Sequence, residues 1–122
     1  MKKVSELVDA ELDFWTARAE GVPADQLEVR PVQRPDPRTP DTICVRRISL
    51  AAMRIDYSTN WALCGPLLPK VGGVNRHMFD TGAEWWAPDY DCGGESGKTP
   101  LIAICRAVVR AAFGDEVEDL PC

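Results

Sequence analysis

A glycine-rich stretch late in the chain is the first place where residue types and spacing could do chemistry. The segment Gly93 to Thr99 ends in the Gly-Lys-Thr triplet that closes a phosphate-binding P-loop. The P-loop pattern needs another glycine further upstream, where this chain has Cys92. Because Pro100 favours the first position of a helix, Thr99 is predicted to be its N-cap and not a magnesium ligand. We therefore predict a polar loop followed by a helix cap, with a nucleotide site as the alternative.

Acidic residues gather around the same stretch. Carboxylates in a loop can bind calcium or magnesium, although the spacing here does not match a calcium-binding EF-hand loop. The residues concerned are Asp80, Asp89, Asp91 and Glu95. A small metal- or nucleotide-dependent enzyme centred on residues 89–99 therefore stays as the alternative function, and no metal ligand or cofactor is assigned.

Nucleophilic catalysis has little support in the sequence. A triad would need the single histidine, His77, which has no evident carboxylate partner in the sequence. The five cysteines form no Cys-x-x-Cys pair, so neither a zinc knuckle nor a thioredoxin-type site is predicted. They are Cys44, Cys64, Cys92, Cys105 and Cys122. We predict reduced thiols, with Cys105 buried on a helix, and no catalytic residue.

Composition bounds the class of protein. The 122 residues are 45% hydrophobic and 27% charged, which is typical of one globular domain spanning 1–122. No apolar run reaches the roughly 20 residues of a membrane span, and the start carries no signal-peptide core. These features predict a cytoplasmic protein without a membrane partner.

The net charge of −5 weighs against nucleic acid as a partner, because such binding depends on a basic surface. A local basic stripe stays open as an alternative. Its members would be Arg46, Arg47 and Arg54, together with Arg106 and Arg110.

Helical segments are predicted in three places. The first runs from Asp9 to Glu20, with Asp9 as N-cap and Gly21 as the C-terminal stop. The last begins after Thr99, has an apolar stripe through Cys105, and ends at Gly114. The second helix is predicted to start in Tyr57–Leu68, capped by Ser58 or Thr59 and kinked at Gly65 because Pro66 interrupts it. Its core-facing residues would be Trp61, Leu67 and Leu68.

Strands are predicted between these helices. Thr42–Ile48 alternates as a strand does, and a second strand through Met53–Asp56 would complete a hairpin. The aromatic stretch containing Trp85 and Trp86 predicts further strands, with Thr81-Gly82 as their turn. Prolines at about 22–41 exclude a central strand and predict a surface excursion; a PxxP ligand at Pro37–Pro40 is the alternative.

Adjacent tryptophans on one strand point to opposite faces. One of Trp85 and Trp86 is therefore a candidate exposed anchor for a protein partner, and the alternative is that helices cover both rings. Together with the loop around Ser58 and Asn60, these tryptophans are the predicted partner contacts.

Three blocks of sequence, in order, resemble the NinX-like phage proteins. They are Lys3–Leu7 with Glu11–Ala19, Tyr57–Ala62 with Gly65–Leu67, and Thr99–Ala107 with Phe113–Val117. The last two are also similar to phage ABA-sandwich domain proteins. The chain departs from the NinX-like pattern at Asn60, where aspartate is common, and at Cys64, where glycine is frequent.

The resemblance implies a phage or prophage origin and helix/sheet/helix layering, and it brings no catalytic residue. We predict an α+β fold: a small antiparallel sheet of three or four strands with helices packed against it, in α/β/α sandwich-like layers. The expected function is that of a non-enzymatic phage accessory protein in the bacterial cytoplasm. It would bind an unidentified host or phage protein, and the sequence leaves its oligomeric state open.

Overall fold

The structure is a computed structural model of the chain and describes residues 1–31, 42–71, 73–79, 82–88 and 94–118. At residues 77–79, 82 and 83 it describes the backbone alone. In chain order the elements are β1 (Lys2–Lys3), α1 (Asp9–Ala19), β2 (Leu27–Pro31), β3 (Thr42–Ile48), β4 (Ala51–Arg54), α2 (Trp61–Cys64), β5 (Asn75–Phe79), β6 (Gly82–Pro88), β7 (Gly94–Gly97), α3 (Pro100–Phe113) and β8 (Glu116–Val117). The predicted α+β class is confirmed.

Two helices pack against each other at the centre of the molecule. α1 contacts α3 and, on another side, β2 and β3, while α3 contacts β6 and β7. The layers therefore run sheet, helix, helix, sheet, where an α/β/α order was predicted. The physical reason lies in α3, which buries apolar residues over most of its circumference and must be covered from more than one side. Those residues are Leu101, Ala103, Ile104, Cys105, Ala107, Val108 and Val109.

The described strands form three small antiparallel sheets instead of the single sheet predicted. Their orders are β2-β3-β4, β5-β6-β7 and the two-stranded β1-β8. The two three-stranded sheets contact different helices, β2-β3-β4 through α1 and β5-β6-β7 through α3. The predicted Thr81-Gly82 turn falls partly outside the described residues.

Buried apolar side chains fall into two clusters. The main core joins α1, α3, the start of the chain and the segment after α2, and its largest fully buried members include Leu7, Leu12, Leu67, Ile104 and Val109. The minor core lies between α1 and the sheet β2-β3-β4, and its buried members are Ala10, Ala17, Val22, Cys44 and Ile55.

The predicted end of α1 is confirmed, and its predicted cap is wrong. Gly21 follows the helix with φ +91°, the left-handed conformation that glycine adopts without strain. At the other end Val8 occupies the N-cap position and makes no side-chain cap bond. Asp9 itself has φ +52°, whereas a capping residue has an extended backbone.

α3 agrees with its prediction at both ends. The Thr99 hydroxyl oxygen accepts a hydrogen bond from the Ile102 amide at 3.2 Å, Pro100 follows it, and Gly114 ends the helix with φ +90°. Cys105 is fully buried, as predicted.

The second helix is broken at Gly65, as predicted. α2 covers Trp61–Cys64, and a 3₁₀ turn continues over Gly65–Lys70. Of the residues predicted to face the core, Leu67 is buried, while Trp61 is 52% exposed and Leu68 38% exposed. The shortness of the helix explains the error, because a single turn lacks a full apolar stripe and its burial is decided by its neighbours.

The proline-rich segment is more regular than predicted in its first part. Ala24–Gln26 forms a 3₁₀ turn and Leu27–Pro31 forms β2, an edge strand, which is the position where proline is tolerated. Residues 32–41, with the PxxP alternative, lie outside the described residues. No helix in the described part of the chain is both long enough and apolar enough to span a membrane.

Candidate interaction surface

Ser58 lies inside the molecule. It is 4% exposed, and its amide donates a hydrogen bond to the Asp13 carboxylate at 2.8 Å. Burial raises the pKa of Asp13 to about 6, and the hydrogen bond from Ser58 lowers it in part. Because the bond links α1 to the turn that follows β4, Ser58 positions that turn and does not present its side chain to a partner.

Asn60 caps the short helix that follows. Its Oδ1 accepts a hydrogen bond from the Ala62 amide at 2.9 Å, while its Nδ2 donates to Asp56 Oδ1 at 3.2 Å. The sequence suggested Ser58 or Thr59 for this role. The neighbouring Trp61 is exposed at the surface.

Trp85 and Trp86 are both half-buried, so neither is the exposed anchor that the alternation suggested. Trp85 packs against the main core. Trp86 lies against β7, where a Cβ on Gly94 would come within 2.7 Å of the indole ring. β7 and its glycines therefore cover part of the aromatic pair.

The most exposed apolar group of the described residues lies on the hairpin of β3 and β4, which we call the β3–β4 hairpin. Ile48 is 52% exposed, Met53 60%, and Leu50 at the tip is fully exposed. Ser49 has φ +58°, the backbone conformation of a tight hairpin turn. The sequence predicted this hairpin with its second strand at Met53–Asp56, whereas β4 is Ala51–Arg54.

Strand register explains why these side chains are exposed. Arg46 pairs with Met53 and Ile48 with Ala51, so Met53 and Ile48 share the face on which Cys44 packs toward α1. The hairpin extends that apolar face beyond the part that α1 covers. Sequence reasoning missed this surface, although the run Ile48 to Met53 has no charged residue to mark a solvated strand end.

Arginines lie on the opposite face of the same hairpin. Arg47 lies 3.6 Å from Glu28, and Arg54 lies 3.8 Å from Asp56. Arg46, the third arginine of the basic stripe that the sequence left open, lies on the apolar face of the hairpin. Its Nε donates a hydrogen bond to the side-chain oxygen of Gln26. The two remaining arginines of that stripe, Arg106 and Arg110, bond to main-chain carbonyls of the protein itself. Arg106 donates to the carbonyls of Leu7 and Ser96, and Arg110 donates to the carbonyl of Gly94.

No group of three or more potential metal ligands occurs among the described residues. Residues 89–93, with Asp89 and Asp91, lie outside them, as do Asp80, Cys92, Cys122 and the side chain of His77. Glu95 is 3.7 Å from Arg110, and the Thr99 hydroxyl is occupied by the helix cap.

Three thiols are described, and all are free and buried: Cys44, Cys64 and Cys105. The Sγ atoms of Cys64 and Cys105 are 3.9 Å apart within the main core. Their mutual hydrogen bond and burial raise the pKa of Cys105 well above its ordinary value. Burial likewise raises the pKa of Cys44 to about 12, so Cys44 and Cys105 are held as neutral thiols, whereas the hydrogen bond with Cys105 lowers the pKa of Cys64.

A pocket of about 300 Å³ lies where Met1 and β8 meet α1 and α3. Trp15, Arg18 and Phe113 line the pocket. The rings of Trp15 and Phe113 contact each other edge to face, with their centres 5.4 Å apart. Its described lining also includes the carboxylates of Glu116 and Glu118.

The architecture is that of a small α+β protein whose described surface carries an exposed apolar hairpin. A family model described as Bacteriophage P22, NinX matches residues 3–111, and the chain belongs to this family. Membership supports its description as a phage accessory protein. No curated protein matches the chain.

Proposed function

We propose that the protein acts, without catalysis of its own, by binding a host or phage protein in the cytoplasm of the infected bacterium. The observation that carries the proposal is the exposure of Ile48, Leu50 and Met53 on one hairpin. Apolar side chains that cluster on a surface and add nothing to a core are typical of protein-binding sites.

Two further observations support the hairpin as the binding element. Its tip and β4 are exposed at every residue from Arg47 to Arg54, so a partner can reach it without unfolding the chain. The base of the hairpin is fixed, because Cys44 and Ile55 are buried in the minor core and the Ile55 amide donates to the Cys44 carbonyl. A rigid base beneath an exposed tip reduces the entropy lost on binding.

Site-specific photo-crosslinking in infected cells tests the proposal. Leu50 is replaced by p-benzoylphenylalanine, and the matched control carries the same residue at Ala111, which is exposed on α3. We expect a discrete protein adduct after irradiation from position 50 and none from position 111. Absence of any adduct at position 50, or the same adducts from both positions, would contradict the proposal.

A further inference from the structure

We propose that the partner contributes an extended acidic segment, which adds to the sheet β2-β3-β4 as a strand beside β4. This inference rests on the proposed function and names the chemistry of its partner. Strand addition at a sheet edge uses main-chain hydrogen bonds for affinity and alternate side chains for specificity.

The two edges of this sheet differ in how they are protected. The edge strand β2 carries Glu28 and Arg30 and ends at Pro31, and charges and proline are the features that discourage further pairing. The edge strand β4 begins Ala51-Ala52-Met53, without charge or proline, and all of its residues are exposed. No strand in the described part of the chain pairs with its outer side. β4 is therefore the edge that is open to an incoming strand.

The small residues of β4 leave the side chains of β3 within reach of such a strand. Ala51 pairs with Ile48 on the apolar face, and Ala52 pairs with Arg47 on the opposite face. An alanine covers little of its neighbour, so Ile48 and Arg47 can contact a strand added beside β4. Met53 on the first face and Arg54 on the second extend the same pattern.

Charge complementarity selects the occupant. Arg47 and Arg54 keep 63% and 47% of their side-chain surfaces exposed, and their ion pairs are longer than hydrogen bonds. Carboxylates on an added strand could bind both arginines. β4 of a second copy would instead bring another Arg54 and no carboxylate. The expected segment therefore alternates, with acidic residues opposite Ala52 and Arg54 and apolar residues opposite Ala51 and Met53.

Binding of synthetic peptides to the whole protein tests the inference. The probe is a fluorescein-labelled peptide Glu-Val-Glu-Leu-Glu-Val, compared with Lys-Val-Lys-Leu-Lys-Val and with the acidic peptide N-methylated at alternate residues. We expect the acidic peptide to bind at least about tenfold more tightly than either of the others in fluorescence anisotropy. We also expect its affinity to fall as NaCl rises from about 50 mM to about 500 mM, because exposed charges are screened by salt.

Matched variants locate the site. Removing both charges with Arg47→Gln and Arg54→Gln should reduce affinity for the acidic peptide to that for the basic one. Arg76→Gln, an exposed arginine on β5, should leave it unchanged. Thermal melting of each variant confirms that it is folded. On binding, the β4 amides should gain protection from hydrogen exchange.

Several results would overturn strand addition. They are equal affinity for acidic and basic peptides, undiminished binding of the N-methylated peptide, and a concentration-dependent dimer that excludes the peptide. If position 50 crosslinks a protein in cells while the acidic peptide fails to bind, the proposed function stands and strand addition is wrong. If the peptide binds as expected and no adduct forms in cells, addition of an acidic strand beside β4 is supported and the proposed function fails.

Discussion

The region around α3 and the β3–β4 hairpin use apolar residues in opposite ways. In α3 the apolar side chains from Leu101 to Val109 are buried in the main core or close to it. In the hairpin Ile48, Leu50 and Met53 are largely exposed, although the base of the same strands reaches the minor core. The first group stabilises the fold, and the second adds little to it.

This difference separates residues kept for folding from residues available for binding. The minor core between α1 and the sheet contains Cys44 and Ile55 but not Ile48, Leu50 or Met53, which are exposed. The uncovered end of the sheet is where the hairpin projects. Mutations should therefore divide into those that change stability and those that change binding, according to the region in which they fall.

The largest expected difference in stability is between Ile104→Ala and Leu50→Ala. Ile104 is fully buried in the main core, so its truncation leaves a cavity and should cost about 2–5 kcal/mol of unfolding free energy. Leu50 is fully exposed, and its truncation should change stability by less than about 0.5 kcal/mol. Urea denaturation of both variants measures the contrast. A large loss in Leu50→Ala would mean that the hairpin tip belongs to the fold.

The second prediction concerns Asp13, which joins α1 to the turn after β4. Burial raises the pKa of its carboxyl from 3.8 to about 6 in the folded protein. The folded state therefore binds this proton more tightly than the unfolded chain. Its contribution to stability is full below a pH of about 3.8 and is lost as the pH rises through about 6. The loss is at most about 3 kcal/mol, since one pKa unit corresponds to about 1.4 kcal/mol.

Comparison with Asp13→Asn isolates this effect from the other carboxyl groups. The asparagine can still accept the hydrogen bond from the Ser58 amide and does not titrate. The unfolding free energy of the wild type minus that of the variant should fall between pH of about 4 and about 6 and stay level above about 7. A difference that rises with pH over that window would show that the carboxyl is stabilised in its ionised form.

The third prediction compares Gly97, which lies tightly against α3, with Gly65, which has open space around it. A Cβ at Gly97 would lie 2.7 Å from the Ala103 amide nitrogen and from the side chain of Ile102, so Gly97→Ala should destabilise the protein by about 1–3 kcal/mol. Gly65 has helical backbone angles and open space around it. Gly65→Ala should be neutral or raise stability by up to about 1 kcal/mol. Equal melting temperatures for the two variants would mean that β7 can move away from α3.

Local signals explain how much the sequence could predict. The cap at Thr99, the stop at Gly114 and the alternation in Thr42–Ile48 lie within single elements, and each was predicted correctly. The order of the layers was not, because it depends on which faces of α1 and α3 meet. At the candidate surface the sequence named Ser58, which is buried by its contact with distant Asp13. It missed Leu50 because the uncharged run from Ile48 to Met53 does not by itself distinguish an exposed strand end from a buried one.

The smallest expected effect on stability is at Asn60, which links the segment after the β3–β4 hairpin to α2. Its amide group bonds both Asp56 and the Ala62 amide, so Asn60→Ala leaves the first turn of α2 without a cap. We expect a loss of about 0.5–1 kcal/mol, the lower part of the range for caps, because the bond to Ala62 is exposed. Thr59→Ala is the control, since its hydroxyl makes one long bond of 3.5 Å and should contribute less than about 0.5 kcal/mol. If chemical denaturation gives both variants the same stability, α2 is held in place by Leu67 and Cys64 in the main core and not by its cap.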